Sequence, residues 1–292
     1  MTLLQSIPSW VKDCSFVLVT VAGGLWTLKK IRDAKNAHFA ARKAHENLLQ
    51  WSSTPKDVVI LHTIGRGKTA PSPSPFVVKL ETFLRMANIP YEMDFTSPWS
   101  SKAKTPWISL NGEHIADSQL IIEFLSKKFG ISLGSSYSAD ELAKAQAVRV
   151  MMDEHFYWGL GLWRYVYSGG AGLSEFMAMS PSDLATFFRA ANARVKTASW
   201  FQGVGRHDQD TVVEIMNANL EAVSRILGEK RFLLGEEPCA EDCSLFGFLV
   251  QVFWCAPGSP YKSFVEENLP NLKAYCGRMK TLFWDDWEKC LA

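Results

Sequence analysis

Three short stretches set chemistry-bearing residues at the ends of elements. Ser74 precedes Pro75 and the apolar, helix-periodic run FVVKLETFLRMA, which makes Ser74 an N-cap and Pro75 the first helical residue. A helix start offers unpaired amides and partial positive charge, so a thiolate held there is stabilised and a serine hydroxyl can donate to it. Each such effect is worth roughly 0.3–1 kcal/mol at exposed sites, so a dipole and one hydroxyl lower a thiol pKa by about one to two units. That suffices for a nucleophile at neutral pH. Ser72 is a loop neighbour of this position. Thr105-Pro106 stands just before the apolar run WISL, and Asp117-Ser118 opens a second helix. The amides of that second helix start and the Ser118 hydroxyl suit a carboxylate. Singly, each stretch has a plainer explanation: a cap, a trans prolyl bond, an N-cap pair.

A competing motif fails on inspection. His62-Thr-Ile-Gly-Arg-Gly-Lys68-Thr69 ends like a phosphate loop, but a histidine occupies the place of its first glycine, and Ala70-Pro-Ser-Pro separates Lys68-Thr69 from the next helix. The helix dipole is then too far from any phosphate held by the loop. The six cysteines, Cys14, Cys239, Cys243, Cys255, Cys276 and Cys290, form no CxxC pair and no zinc-like spacing, so reduced thiols are expected and no metal site. A net charge of +1 provides no basic field for nucleic acid. His38 and His45, seven apart, have no thiol or carboxylate partner nearby and read as surface residues.

These residues need a frame to hold them. Val58 to His62 is a β-branched, continuously apolar run of buried-strand type, followed by the Gly/Pro loop GRGKTAPSPSP and the Ser74-Pro75 helix. Tyr91 to Phe95 is a short strand, and a polar loop leads through Lys104 to a third strand from Trp107. Asn111-Gly112 supplies both positive φ values of a two-residue hairpin turn into Glu113 to Ala116. The helix from Asp117-Ser118 runs to Phe129. Beyond Gly130 the periodicity is helical. Ser138-x-x-Glu141 is a capping box, Ser180-Pro181 opens a helix, Gly228 closes one, and an apolar helix runs from about Glu241 to Phe253. The last helix sets Leu272, Tyr275, Met279 and Leu282 on one face. The fold expected is an α/β thioredoxin-like domain (56–130) followed by an all-α domain (138–292).

Ahead of both, residues 1–51 hold the uncharged run CSFVLVTVAGGLWTL from Cys14 to Leu28, trailed by Lys29, Lys30, Arg32, Lys35, Arg42 and Lys43. It is shorter than the ~20 apolar residues of an untilted span, so a membrane anchor, a signal peptide and a core helix compete. A basic cluster after the run and Trp26 at the place of cleavage disfavour a signal peptide, and the basic stretch disfavours a core helix. An anchor with the following side in the cytosol is expected.

The ordered set Ser74-Pro-Phe, Thr105-Pro106 and Asp117-Ser118 resembles a glutathione transferase N-domain. The stretches SPSPFVVKLETFLRMANIPYE, FLLGEEPCAEDCSLFGFLVQ and LPNLKAYCGRMKTLFWDDWEKCL narrow the resemblance to the failed axon connections family, related to the metaxins and similar to cadmium-responsive proteins. It covers about Lys56 to Leu291. The resemblance implies that Ser74 activates the thiol of glutathione, that Pro106 is cis and exposes the Thr105 backbone to the tripeptide, and that Asp117-Ser118 takes its γ-glutamyl end. Tyr157, Trp158 and Trp163 are the candidate wall for a small hydrophobic ligand. The chain departs from the family pattern at Val77, where a Cys is usual, which removes a redox thiol, and at Cys239, where Thr or Ser is usual. Two functions stay open: a membrane-tethered adaptor with a residual glutathione site and a protein partner or homodimer, and an active transferase conjugating hydrophobic electrophiles in stress or metal detoxification. Which membrane is involved stays open between the mitochondrial outer membrane, where the metaxin relatives act, and the endoplasmic reticulum.

Overall fold

Four-residue apolar or alternating runs build the sheet. β1 (Val59–His62), β2 (Tyr91–Asp94), β3 (Trp107–Leu110) and β4 (Glu113–Ala116) lie in the order β2-β1-β3-β4. β1 is parallel to β2, whereas β3 runs against both β1 and β4. The hairpin between β3 and β4 turns on Asn111 at φ 51° and Gly112 at φ 85°, the positive pair that Asn-Gly supplies. The computed structural model describes residue 51 and residues 54–292. The expected span from Cys14 to Leu28, its basic flank, His38 and His45 lie outside the described residues. Lys56–Ala292 forms a compact unit of its own.

α1 (Pro75–Met86) returns the chain from β1 to β2, and α2 (Ser118–Phe129) follows β4. Both pack on one face of the sheet, where Leu80, Leu84, Ile121 and Leu125 meet Val59, Leu61, Ile108 and Leu110 in one apolar cluster. Strand alternation sends Ile60, His62, Asp94, Trp107 and Ser109 to the other face. The polar stretch between β2 and β3 forms no helix.

The second half is helical, as expected. α3 (Ala139–Val150) starts at the Ser138/Glu141 capping box and runs without a break through a π-helical segment (Met151–Phe156), α4 (Tyr157–Leu162) and a second π-helical segment (Trp163–Tyr167). α5 (Leu173–Phe176), α6 (Pro181–Gln202), α7 (Gln209–Leu227), α8 (Asp242–Trp254), α9 (Pro260–Asn268) and α10 (Pro270–Phe283) complete it. α8 is buried along Asp242 to Val252 and is the axis of this half. It also joins the halves: a Cβ on Gly247 would stand 2.6 Å from the Pro75 carbonyl oxygen, so only glycine lets α8 lie against the start of α1. Asp242 orders the approach to α8 by accepting from the Leu233 and Cys239 amides and the Tyr275 hydroxyl. Cys239 is buried beside it, and burial pushes its thiol well above the usual range. Among the described residues all five cysteines are free and buried.

One expected core position is corrected. Leu282 is 44% exposed, because the buried face of α10 ends at Met279 and Trp284, just past the helix, fills the next place in the core. Among the described residues no helix is long and apolar enough to cross a membrane.

The aromatic-acidic C-terminus is a clamp. Arg85 on α1 makes a bidentate pair with Asp286 (2.5 and 3.1 Å), donates to the Phe283 carbonyl, and lies 4.0 Å from the Trp284 ring centre. The Trp284 indole donates to Thr82 at 3.0 Å. Behind it, buried Glu81 accepts from Arg66 (2.7 and 3.0 Å) and from Tyr91 (3.0 Å). Arg85→Ala removes a bidentate charge pair and a cation–π stack together, and is expected to lower stability by about 2 kcal/mol, read as a fall in the urea midpoint at unchanged m value.

Candidate functional site

Strand register gathers the candidate residues. His62 pairs with Trp107, and Trp107 pairs with Ala116, so one row crosses three strands at the end where β1 stops, β3 begins and β4 stops. Thr105-Pro106 immediately precedes that row on β3, and Asp117 immediately follows it on β4. Because α1 must carry the chain back to begin β2 parallel to β1, its N-terminus and Ser74 belong to the same end of the sheet. Sequence order had set these residues in one frame, and the register sets them on one edge.

Ser74 is the N-cap of α1 with Pro75 at the first helical position, but its hydroxyl makes no capping hydrogen bond. The side chain expected to cap is thus available to a ligand. Its amide donates to Ser72 Oγ at 3.2 Å, which ties the buried Ser72 hydroxyl into the loop before α1. The Thr105-Pro106 bond is cis. Thr105 Oγ1 is buried without a hydrogen-bond partner, an orphan polar atom that a ligand could satisfy.

Asp117 caps α2 by accepting from the Gln119 (3.1 Å) and Leu120 (3.4 Å) amides, and its other oxygen pairs with Lys104. Burial raises its pKa, yet Lys104 and the two amides outweigh this and hold the carboxyl below its ordinary range. It stands at φ 90°, a conformation that side-chain-bearing residues rarely adopt. Ser118, the first residue of α2, is buried. The Asp117 carboxylate is therefore already ion-paired, and a ligand amine would share or displace Lys104.

All three aromatic candidates, Tyr157, Trp158 and Trp163, pack partly buried on the helical core. Tyr157 lies 5.2 Å from the Phe76 ring, two residues after Ser74, and Trp158 stacks edge-on against Tyr157 at 5.1 Å. A groove of about 690 Å³ runs elsewhere, between Gln119, Glu123 and Lys127 of α2 and Gln146, Arg149 and Glu241. It includes none of Ser74, Thr105, Pro106, Asp117 or the three aromatic candidates, and polar and apolar surface share its open lining about equally.

Sequence reading missed two polar arrangements. On the outer sheet face His62 Nδ1 meets Asp94 at 2.6 Å and its Nε2 meets Ser109 Oγ at 2.8 Å, while Ser109 also meets His114 Nδ1 at 2.9 Å. The His62 ring stacks on Trp107 at 3.7 Å. Burial lowers the His62 pKa to about 4 against the opposite pull of Asp94. A histidine and a serine at same-face positions of otherwise apolar strands were the available signal. The second arrangement grips the Ser74 loop: Arg164 donates to the Pro73 carbonyl at 3.0 Å and Gln251 to the Ser72 carbonyl at 3.2 Å. Lys68, Thr69 and Arg66 of the rejected phosphate-loop motif are likewise spent on Ser174, Trp254 and Glu81.

A β-α-β-β-β-α unit with a cis-proline before its third strand, joined to a helical domain, defines a thioredoxin-like half on a transferase-type scaffold. Comparison agrees: the model of the glutathione S-transferase N-terminal domain matches residues 75–170, and that of the C-terminal domain matches 216–279. The chain is 30% identical over 253 residues to Failed axon connections of Drosophila melanogaster, 80% of this chain and 60% of that protein. It is also 30% identical to the isoprene-epoxide–glutathione S-transferase of a Rhodococcus species over 72% of this chain and 92% of the relative. Mouse metaxin-2 is 23% identical over 72% of this chain and 82% of its own length. Among solved structures, the Sphingobium beta-etherase LigF aligns with a TM-score of 0.53 at 18% identity over 76% of this chain and 94% of its own. A rice glutathione transferase solved with glutathione aligns with 0.53 at 16% identity over 82% and 92%. The chain belongs to the glutathione S-transferase family, and it is similar to Failed axon connections and, more distantly, to metaxin-2.

Proposed function

We propose that the chain binds glutathione at the sheet edge where Ser74, Thr105-Pro106 and Asp117-Ser118 meet. The observation that carries this is the row His62–Trp107–Ala116, which brings two helix starts and the cis-proline to one end of the sheet. The uncapped Ser74 hydroxyl and the orphan Thr105 Oγ1 fit the group. When bound, the tripeptide supplies the thiol. The chain's part is to orient it by the Thr105 backbone, to hold its amine end at Asp117, and to stabilise the deprotonated sulfur at the N-terminus of α1 with a hydrogen bond from Ser74 Oγ.

The role we favour is a ligand- or protein-binding adaptor, held at a membrane by residues 14–28 with the 56–292 domain in the cytosol. Two features support binding over turnover: Val77 is buried and carries no thiol, and Lys104 already engages Asp117. The alternative is conjugation of a small electrophile of the epoxide class named for the bacterial relative, with Tyr157 and Trp158 as its apolar wall. Retention on immobilised glutathione tests the site, and conjugation of a chlorinated nitroarene tests turnover. If turnover is found, Ser74→Ala is expected to lower kcat/KM by about 100-fold with retention little changed. Absence of retention by the full chain would sink the proposal.

A further inference from the structure

Charges buried in folded proteins are normally paired with an opposite charge. Arg164 is not. It is 5% exposed, Nη1 donates to the Pro73 carbonyl at 3.0 Å, Nη2 donates to Gln251 Oε1 at 2.8 Å, and Nε is buried without a partner. The Phe176 ring lies 5.1 Å from the guanidinium. Every acceptor is neutral, whether a carbonyl or the Tyr165 hydroxyl, and no ion pair to Arg164 exists among the described residues. The titratable neighbours do not cancel the charge either: burial holds the Tyr165 phenol protonated and pushes the Cys255 thiol up to about 11.

The place of this charge matters. Arg164 grips the carbonyl one residue before Ser74, under the N-terminus of α1, whose dipole adds charge of the same sign. Gln251, fully buried, holds Arg164 with its amide oxygen and the Ser72 carbonyl with its amide nitrogen. The Ser74 amide in turn donates to Ser72 Oγ. Three successive residues of a loop with no regular structure are thereby fixed from α8 and the second π-helical segment. The arrangement costs desolvation of a full charge, which a neutral residue would have avoided.

We infer that Arg164 is the countercharge for an anionic sulfur bound at the N-terminus of α1, and that with Gln251 it is a positioning residue for Ser74. This rests on the glutathione site proposed above. Arg164 acts through the loop and through its field, not by contact, so its loss changes which ligand is preferred more than whether the peptide part binds.

Calorimetry on the full chain with two probes reads this directly: glutathione sulfonate, anionic at the sulfur position, and S-methylglutathione, neutral there. The wild type is expected to prefer the sulfonate by about tenfold, Arg164→Gln to reduce that preference to within about twofold, and Arg164→Lys to keep most of it. Should Arg164→Gln fail to fold, Gln251→Glu sets a carboxylate against the guanidinium and is expected to erase the preference in the same way. A wild type that binds both probes, with a ratio that neither variant moves, overturns the countercharge while leaving the site standing. A wild type that binds neither probe overturns the glutathione site, and the countercharge with it.

Discussion

Lys79→Met lowers the unfolding free energy of the chain by about 3–5 kcal/mol, the range for removing one partner from a buried ion pair. Lys79 is wholly buried in the middle of α1, and its Nζ lies 2.6 Å from Asp153 in the first π-helical segment. Asp153 is otherwise held by Ser244 of α8 at 2.6 Å and by Arg149 at 3.3 Å. Burial pulls the Lys79 ammonium below its ordinary range, against the pull of Asp153. Methionine fills most of the lysine's volume, so the loss is electrostatic: a buried carboxylate keeps one hydroxyl and one longer guanidinium contact. Lys79→Met with Asp153→Leu removes the stranded charge and is expected to recover at least half of the loss, since Arg149 can turn toward solvent. Urea melts of the two singles and the double close the cycle. A single-variant cost under about 1 kcal/mol would mean that the pair does not bind the two halves together. The consequence for the site is direct, because the same α1 that carries Lys79 begins at Ser74.

Lys79 also shows where sequence reading stops. In FVVKLETFLRMA, Lys79 and Glu81 are charged residues on opposite sides of the helix that its sequence would leave to solvent, yet both are wholly buried, Lys79 against α8 and Glu81 beneath Arg66 and Tyr91. Periodicity reports one apolar face and cannot see a second partner arriving from far along the chain. Local chemistry was legible: Asn111-Gly112, Ser74-Pro75, Ser138/Glu141 and Asp117-Ser118 each act within a few residues, and each forms the turn or helix start expected of it. The candidate site residues were named from type, order and the family resemblance together. Their supports were not. Gln251 meets Ser72 across 179 positions, and Arg164 meets Pro73 across 91. Arg164 was further hidden because the π-helical segments widen each turn, so a face drawn at 3.6 residues per turn drifts out of phase between Met151 and Tyr167. Leu282 fails for a related reason: the stripe predicts the next turn, but the chain leaves the helix and Trp284 takes the place.

Acid should destabilise the domain through His62 as the pH falls from about 6.5 to 4. Asp94 only accepts, so His62 donates from Nδ1; the Ser109 hydroxyl then donates to Nε2, and His114 Nδ1 donates to Ser109. This proton order requires a neutral His62, stacked on Trp107. Its pKa is about 4 in the folded chain, with burial the dominant cause, and about 6.5 when unfolded. The unfolded chain therefore binds the proton first. The stability contributed is fully present above pH ~6.5 and is lost as the pH falls through 4, at about 1.4 kcal/mol per unit, or about 3 kcal/mol across the window. Asp94, held below its ordinary value by Thr96 and His62 despite burial, gives way only at lower pH and does not contaminate this range. His62→Gln can donate one hydrogen bond to Asp94 and accept one from Ser109 but does not titrate, so between pH 6.5 and 4.5 the wild type should lose more stability than the variant, the groups common to both, Asp242 raised by burial among them, cancelling in the difference. Parallel pH profiles for the two proteins would show that the proton is taken up elsewhere, and that the outer face of the sheet tolerates a charged imidazole beside Asp94.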